Sequence, residues 1–260
     1  MITFLGHRTI HFSRVTWSLV FYQFDVLLTL LMQVVRLKLR VRESLIQMYA
    51  VGVQSLPVIV FSLLFLTLML VTEFSFHMKL VLRQDSLVPA FSTLLMIREL
   101  GPVVTSMLLT SRIGSAIATE IGTMKITDQI DALRLLSLEP VEFLTVPRLI
   151  GCIFGTVALT VIAIAVGVIG GAALAGVALG YHAAEYFNTM FLFTRESDFA
   201  GCLLKSFVFG VVIAIVASYH GLNCRPGSEG VGNAATNSVV HASMVIIIAD
   251  FFLTYLLYAL

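Results

Sequence analysis

Charge is scarce in this chain. Only 12% of its residues are Asp, Glu, Lys or Arg, while 58% are hydrophobic; soluble domains carry roughly a quarter charged residues. A soluble domain could not cover that much apolar surface, so a polytopic membrane protein is implied. A net charge of +1 offers nucleic acid no basic surface. The three cysteines, Cys152, Cys202 and Cys224, are an odd number without metal-ligand spacing. They exclude a disulfide framework and read as small apolar fillers. None of the lysines (Lys38, Lys79, Lys125, Lys205) follows a glycine, so there is no G-x-x-x-x-G-K phosphate loop. H-E-x-x-H, C-x-x-C and G-x-S-x-G are absent, and the histidines are scattered without ligand spacing. No metal, no cofactor and no enzymatic activity are expected on this chain, and any energy source belongs to another. The N-terminal MITFLGHRTIHFSRV lacks the basic, apolar and small-residue succession of a cleaved signal peptide.

What is present is a series of long apolar runs. A membrane span needs about 20 apolar residues at 1.5 Å each. Residues Ser44 to Thr72 carry no charge and form the first expected span. Ser86 to Thr119 is the second; as one helix it would measure about 51 Å, too long for a bilayer, so it must tilt, kink or continue into the cytoplasm. Gly101-Pro102 is its natural kink. Leu149 to Ala184, Phe199 to Cys224 and Gly230 to Leu260 complete five spans, the last interrupted only by Asp250. With the N-terminus inside, the cytoplasmic side holds Arg8, Arg14, Arg36, Lys38, Arg40, Arg42, Arg112, Lys125, Arg134, Arg148 and Arg225. The outer side keeps only Lys79, Arg83, Arg98, Arg195 and Lys205, so the charge bias favours a cytoplasmic N-terminus and an external C-terminus.

Residues 17–43 are apolar but interrupted by Asp25 and closed by the basic cluster Arg36 to Arg42. A helix lying on the membrane surface fits this pattern better than a sixth span. The expected organisation is an N-terminal interfacial region, residues 1–43, and a single all-α transmembrane domain, residues 44–260, with about five spans.

Glu99 to Leu133 is the most informative segment. Arg98 and Glu99 stand inside or at the edge of the second span, where ionisable groups mark a pathway or a protein-facing pair unless they snorkel to the interface. The adjacent Gly101-Pro102 break frees backbone groups that need partners. Gly114, Ala118 and Gly122 form a stripe of small residues at four-residue spacing, and Gly167/Gly171 and Gly176/Gly180 repeat it. Such stripes let helices approach closely, within one subunit or across a dimer. Residues 123–138 place Ile126, Ile130 and Leu133 on one face and Asp128, Gln129, Asp131 and Arg134 on others, a short amphipathic helix closed by Pro140. Acidic residues suit an anionic leaflet poorly, so docking on a partner is the better reading of that helix.

The run RELGPVVTSMLLTSRIGSAIATEIGTMKITDQIDAL strongly resembles the signature of the MlaE-type permeases of ABC lipid transporters. The resemblance continues through EPVEFLTVPR (Glu139 to Arg148), KSFVFG (Lys205 to Gly210) and GVGNAATNSVVHASMVIIIADFFLTYLL (Gly230 to Leu257). It implies a homodimeric permease with an N-terminal interfacial helix, in the bacterial inner membrane. It also implies a cytoplasmic ABC ATPase that holds the ATP and Mg, often a STAS-domain subunit, and a periplasmic MCE-domain protein. The implied substrate is a phospholipid or related lipid moved between inner and outer membranes.

Carried over by position, Arg98 and Glu99 would meet lipid in an outward-facing pocket. Leu70, Phe74, Met78 and Leu82 share a helix face that would line it for acyl chains. The helix around Thr127, Asp128, Asp131, Leu133 and Arg134 would be the coupling helix that contacts the ATPase, flanked by Glu120 and Lys125. The alternative is a secondary transporter or channel in which Arg98, Glu99 and Asp250 serve as coupling or gating charges; no inverted repeat favours it. A third reading is a membrane scaffold that only anchors an ATPase complex. The segment Gly221 to Gly232 matches no pattern and reads as a cytoplasmic loop.

Overall fold

Pro57 divides the first apolar stretch. A proline gives no N–H and its ring clashes with the carbonyl four residues earlier, so a helix stops or restarts there. In the computed structural model, which describes residues 40–81 and 87–258, helix α1 (Val41–Gly52) ends in a turn at 53–55. Helix α2 (Leu56–Val81) then starts afresh. The expected single span from Ser44 to Thr72 is corrected accordingly: the long helix lies further along, and the 12 residues of α1 alone reach only about 18 Å. The surface helix expected over 17–43 lies outside the described residues apart from its last four, as does Leu82.

The second stretch continues from Val88 to Ile126 without a turn, as α3 (Val88–Leu95), α4 (Gly101–Leu109) and α5 (Ser115–Ile126) joined by two π-helical segments, Met96–Leu100 and Thr110–Gly114. The Gly101-Pro102 break therefore takes the form of a wide turn: the Gly101 N–H bonds to the Met96 carbonyl, five residues back. Such π-turns absorb a helix irregularity and recur at functional sites.

The amphipathic stretch is two pieces rather than one helix. Asp128 takes a left-handed conformation, φ 56°, which Asp tolerates better than most side chains. It separates α5 from α6 (Gln129–Leu135). Helix α6 stops before Pro140 can act. Ser137, φ 57°, lets the Leu138 N–H bond to the Leu133 carbonyl and its own N–H bond to that of Arg134, a Schellman end.

A π-helical segment, Val141–Thr145, leads into α7 (Val146–Leu179), which Gly180 closes at φ 75°. The short α8 (Ala183–Phe193), α9 (Glu196–Leu222) and α10 (Ser228–Tyr258) complete the order, and no strand occurs among the described residues. Five stretches are long and apolar enough to cross a membrane: Val41–Leu80, Val88–Ile126, Val141–Val177, Glu196–Leu222 and Ser228–Tyr258. The expectation of an all-α protein with five spans is borne out.

Helix α7 is the hub, packed against α1, α2 and α9, while α9 also packs on α5 and α10. Its glycines set these crossings. A Cβ on Gly151 would stand 2.6 Å from Gln47 Cβ, and one on Gly155 2.5 Å from Val51 Cγ1, so α1 seats directly on the α7 backbone. Gly167 and Gly171 meet Thr67 of α2 in the same way. Ala118 is buried, and Gly122 faces Cys224 and Val231. The Gly114/Ala118/Gly122 and Gly167/Gly171 stripes thus pack within the chain, whereas a Cβ on Gly180 would meet nothing within 4 Å. The main core is apolar, with Leu63, Leu109, Leu149, Leu159, Phe209 and Ile213 fully buried. Helix α10 contrasts with it, exposing Ile247, Phe251, Phe252 and Tyr255.

Candidate functional site: a buried charge network opposite an acidic and basic cleft

The π-turn before Pro102 turns Arg98 and Glu99 toward two other spans. Lys205, on α9, is completely buried and reaches both residues. Its Nζ donates to the Arg98 carbonyl at 2.8 Å, to Glu99 Oε2 at 2.9 Å and to Thr254 Oγ1 at 2.6 Å. These three bonds use all three ammonium protons. Asp250 Oδ1 stands 2.8 Å from the same nitrogen as an ion pair and has no hydrogen bond of its own. The Thr254 hydroxyl in turn donates to Glu99 Oε1 at 3.0 Å.

A second pair adjoins the first. Arg98 Nε donates to Asp198 Oδ1 at 2.8 Å, and Asp198 Oδ2 accepts the Arg195 backbone N–H at 2.9 Å. Asp198 lies in the first turn of α9, where the helix dipole favours a carboxylate, and is only 1% exposed. The Arg98 guanidinium carbon sits 4.6 Å from the centre of the Tyr258 ring, a cation–π contact. Two cations and three carboxylates from three spans are therefore held at one end of the bundle. Charges so placed survive only when paired, and by default mark a pathway or binding site. Arg98 and Glu99 keep roughly a third of their side-chain surface open, so the network is accessible from one side.

The expected apolar face divides between two clusters. Phe74 and Met78 pack in a separate cluster with Val71, Val88 and Tyr186, and Phe74 stacks on Phe91. Leu70 packs against the main core.

At the far end of the same span, Val88–Ile126, a cleft of about 650 Å³ is lined by Lys125, Asp128, Asp131 and Arg134, with Glu139, Cys224 and Gly227 opposite. Asp131 and Arg134 pair on the exposed surface of α6, while Ile130 is buried beneath it. Leu133 is partly buried against the core, and the Thr127 hydroxyl bonds back to the Thr123 carbonyl. Glu120 is not in the cleft; it pairs with the buried Arg148 at 2.9 Å. The loop expected over Gly221 to Gly232 is corrected to Asn223 to Gly227, because α9 runs to Leu222 and α10 starts at Ser228; this short link lines the opposite wall and is pinned by Cys224 Sγ donating to the Gly122 carbonyl.

Lys205, Asp198 and Thr254 are the members that sequence reasoning did not assemble, and Asp250 entered it only as an alternative. A lone lysine in the apolar run 199–224 and a lone aspartate in 230–260 were the available signals.

An all-α multi-pass membrane protein with paired charges between its spans and an exposed amphipathic helix at the opposite end is the architecture of a transport subunit. A model of the permease MlaE family matches residues 44–256. A probable ABC transporter permease of Rickettsia felis is 32% identical over 258 residues, covering 98% of this chain and 96% of the relative. One from Synechocystis is 35% identical, covering 84% and 82%. The intermembrane phospholipid transport system permease protein MlaE of Haemophilus influenzae is 32% identical, covering 82% and 81%. The chain belongs to the MlaE family of ABC transporter permeases.

Proposed function

We propose that this permease moves phospholipid between the inner and outer membranes of a bacterium, driven by ATP hydrolysis on a separate subunit. The observation that carries this reading is the paired network of Arg98, Glu99, Asp198, Lys205 and Asp250, which is partly open at one end of the bundle. Arg98 suits a phosphate headgroup, because a guanidinium offers several donors to an oxyanion. The relative named for phospholipid transport supports the substrate class.

In this reading two copies assemble in the inner membrane, with N-termini cytoplasmic and C-termini periplasmic. An ABC ATPase, with a STAS-domain subunit, docks on α6 and its cleft, and an MCE-domain protein receives or delivers lipid on the periplasmic side. ATP and Mg bind the ATPase alone. A proton- or ion-coupled carrier built on Lys205 and its two carboxylates is the competing reading.

A gentle-detergent pull-down with mass spectrometry of proteins and lipids, followed by reconstitution, separates the two. Co-purification of an ATPase, an MCE-domain protein and phospholipid, with ATP-dependent lipid transfer between liposomes, is the expected result. A stable chain purified alone, with transport driven by an ion gradient and indifferent to ATP, overturns it.

A further inference from the structure

Between Glu120 and Arg148 the chain leaves the bundle and returns to it. It finishes α5, turns at Thr127 and Asp128, forms α6, turns again at residues 136–140, and re-enters through the π-helical segment and α7. The two feet of this excursion are tied to each other. Arg148 Nη2 lies 2.9 Å from Glu120 Oε2, and Arg148 Nη1 donates to the Leu144 carbonyl at 2.7 Å. Arg148 is 5% exposed, and its Nε has no partner. A guanidinium buried with one donor unmet adds little stability, since desolvation offsets the attraction and a packed apolar side chain would serve better. What the pair supplies is a fixed distance. Among the described residues α6 shows no ion pair to another element, since Asp131 with Arg134 lies within the helix, and the buried Ile130 is its apolar seat.

We propose that Glu120 and Arg148 are positioning residues that clamp the neck of this excursion. With the neck held, a displacement of α6 moves α5 and α7 as one rigid body. Without it, the turns at residues 127–128 and 136–140 absorb the displacement. Elements that carry coupling need two discrete arrangements and stiff connections between them, and the clamp provides the stiffness. The inference rests on the reading of α6 as the ATPase-contacting helix, but the clamp itself is a statement about this chain.

The test pairs a mechanical measurement with a functional one. Spin labels replace Leu135 on α6 and Phe154 on α7, both exposed, and the distance between them is recorded in the assembled complex. Glu120→Ala strands the buried Arg148 cation, so it is compared with the conservative Glu120→Asp and with Glu120→Ala/Arg148→Met, which removes that charge and should broaden the distribution equally. The clamp predicts a narrow distance distribution that broadens in Glu120→Ala and narrows again in Glu120→Asp. It also predicts that lipid moved per ATP hydrolysed falls about fivefold in Glu120→Ala, the size of a lost coupling contact. An unchanged distribution overturns the clamp whatever transport does, and so does a broadened one with unchanged lipid per ATP. If the distribution broadens while the unmodified complex moves no lipid with ATP, the clamp stands and the functional reading falls.

Discussion

The ammonium group of Lys205 donates to the backbone carbonyl that Pro102 leaves without its helical partner. In an unbroken helix the residue at 102 would bond its N–H to the carbonyl of Arg98; a proline has none to give. Lys205 Nζ lies 2.8 Å from that oxygen and at the same time pairs with Glu99 and Asp250. One side chain thus repairs the break and anchors the charges beside it.

Lys205→Met should therefore be among the most damaging single changes in the chain. It strips Glu99 and Asp250 of their cation and the Arg98 carbonyl of its donor, a loss of about 3–5 kcal/mol for a broken buried pair. Pro102→Ala restores an N–H at position 102, so in the double variant the carbonyl is served again and about 1 kcal/mol returns. Thermal unfolding of the four proteins in detergent measures the cycle. Strict additivity would show that the lysine and the proline act independently.

Arg98→Ala should destabilise the protein more than Glu99→Ala does. Loss of Arg98 strips Asp198, 1% exposed, of its cation, whereas loss of Glu99 still leaves Lys205 facing Asp250 and Thr254. A second change, Asp198→Asn, removes the stranded charge and should recover part of the loss. The readout is the unfolding temperature of each variant, and equal shifts for Arg98→Ala and Glu99→Ala contradict the arrangement. If the functional reading holds, both variants lose lipid transfer in proteoliposomes while still assembling with the ATPase.

Gly155→Val tests the seat of α1. A Cβ at this position already lies 2.5 Å from Val51 Cγ1, and two more methyl groups cannot be placed without moving α1 off α7. Overpacking of this kind costs about 1–3 kcal/mol. Gly155→Val should therefore unfold at a lower temperature in detergent, whereas Gly52→Val, where a Cβ meets nothing within 4 Å, should not. Equal unfolding temperatures for the two variants would mean that α1 is not seated through these glycines.

The spans were legible because an apolar run of 20 or more residues has one physical outcome in a bilayer. Pro57 was equally visible, but the uncharged residues around it hid that the run is two helices. The same holds for Asp128: the spacing of Ile126, Ile130 and Leu133 looks helical whether or not the backbone turns between them. The charge network was half legible. Arg98, Glu99, Lys205 and Asp250 each stand out in an apolar context, yet Lys205 is 106 residues from Glu99, and periodicity within a helix says nothing about the register between helices. Asp198 lay just outside an apolar run and looked like an ordinary charge at a helix start. The spacing of Phe74 and Met78 puts them on one face of α2. What it packs against, Tyr186 and Val88, depends on the tertiary arrangement.

Helix α6 supplies the sharpest functional prediction. Ile130 is 4% exposed and holds the helix to the bundle, while Asp131 and Arg134 present opposite charges outward beside the cleft. Asp131→Lys keeps helix propensity and leaves Ile130 in place, so the fold should be unaffected: exposed substitutions usually change stability by less than about 0.5 kcal/mol. It inverts the charge that a docking partner meets and places two cations three residues apart. A partner complementary to the present surface then faces repulsion, which slows association and lowers affinity. Purified complex should carry less ATPase, and lipid-stimulated hydrolysis should fall with it, the more so at low salt because exposed charges are screened at high ionic strength. Ile130→Asp, by contrast, should lower the unfolding temperature itself. Were Asp131→Lys to retain the ATPase and its lipid stimulation in full, the docking surface would have to lie on another part of the chain.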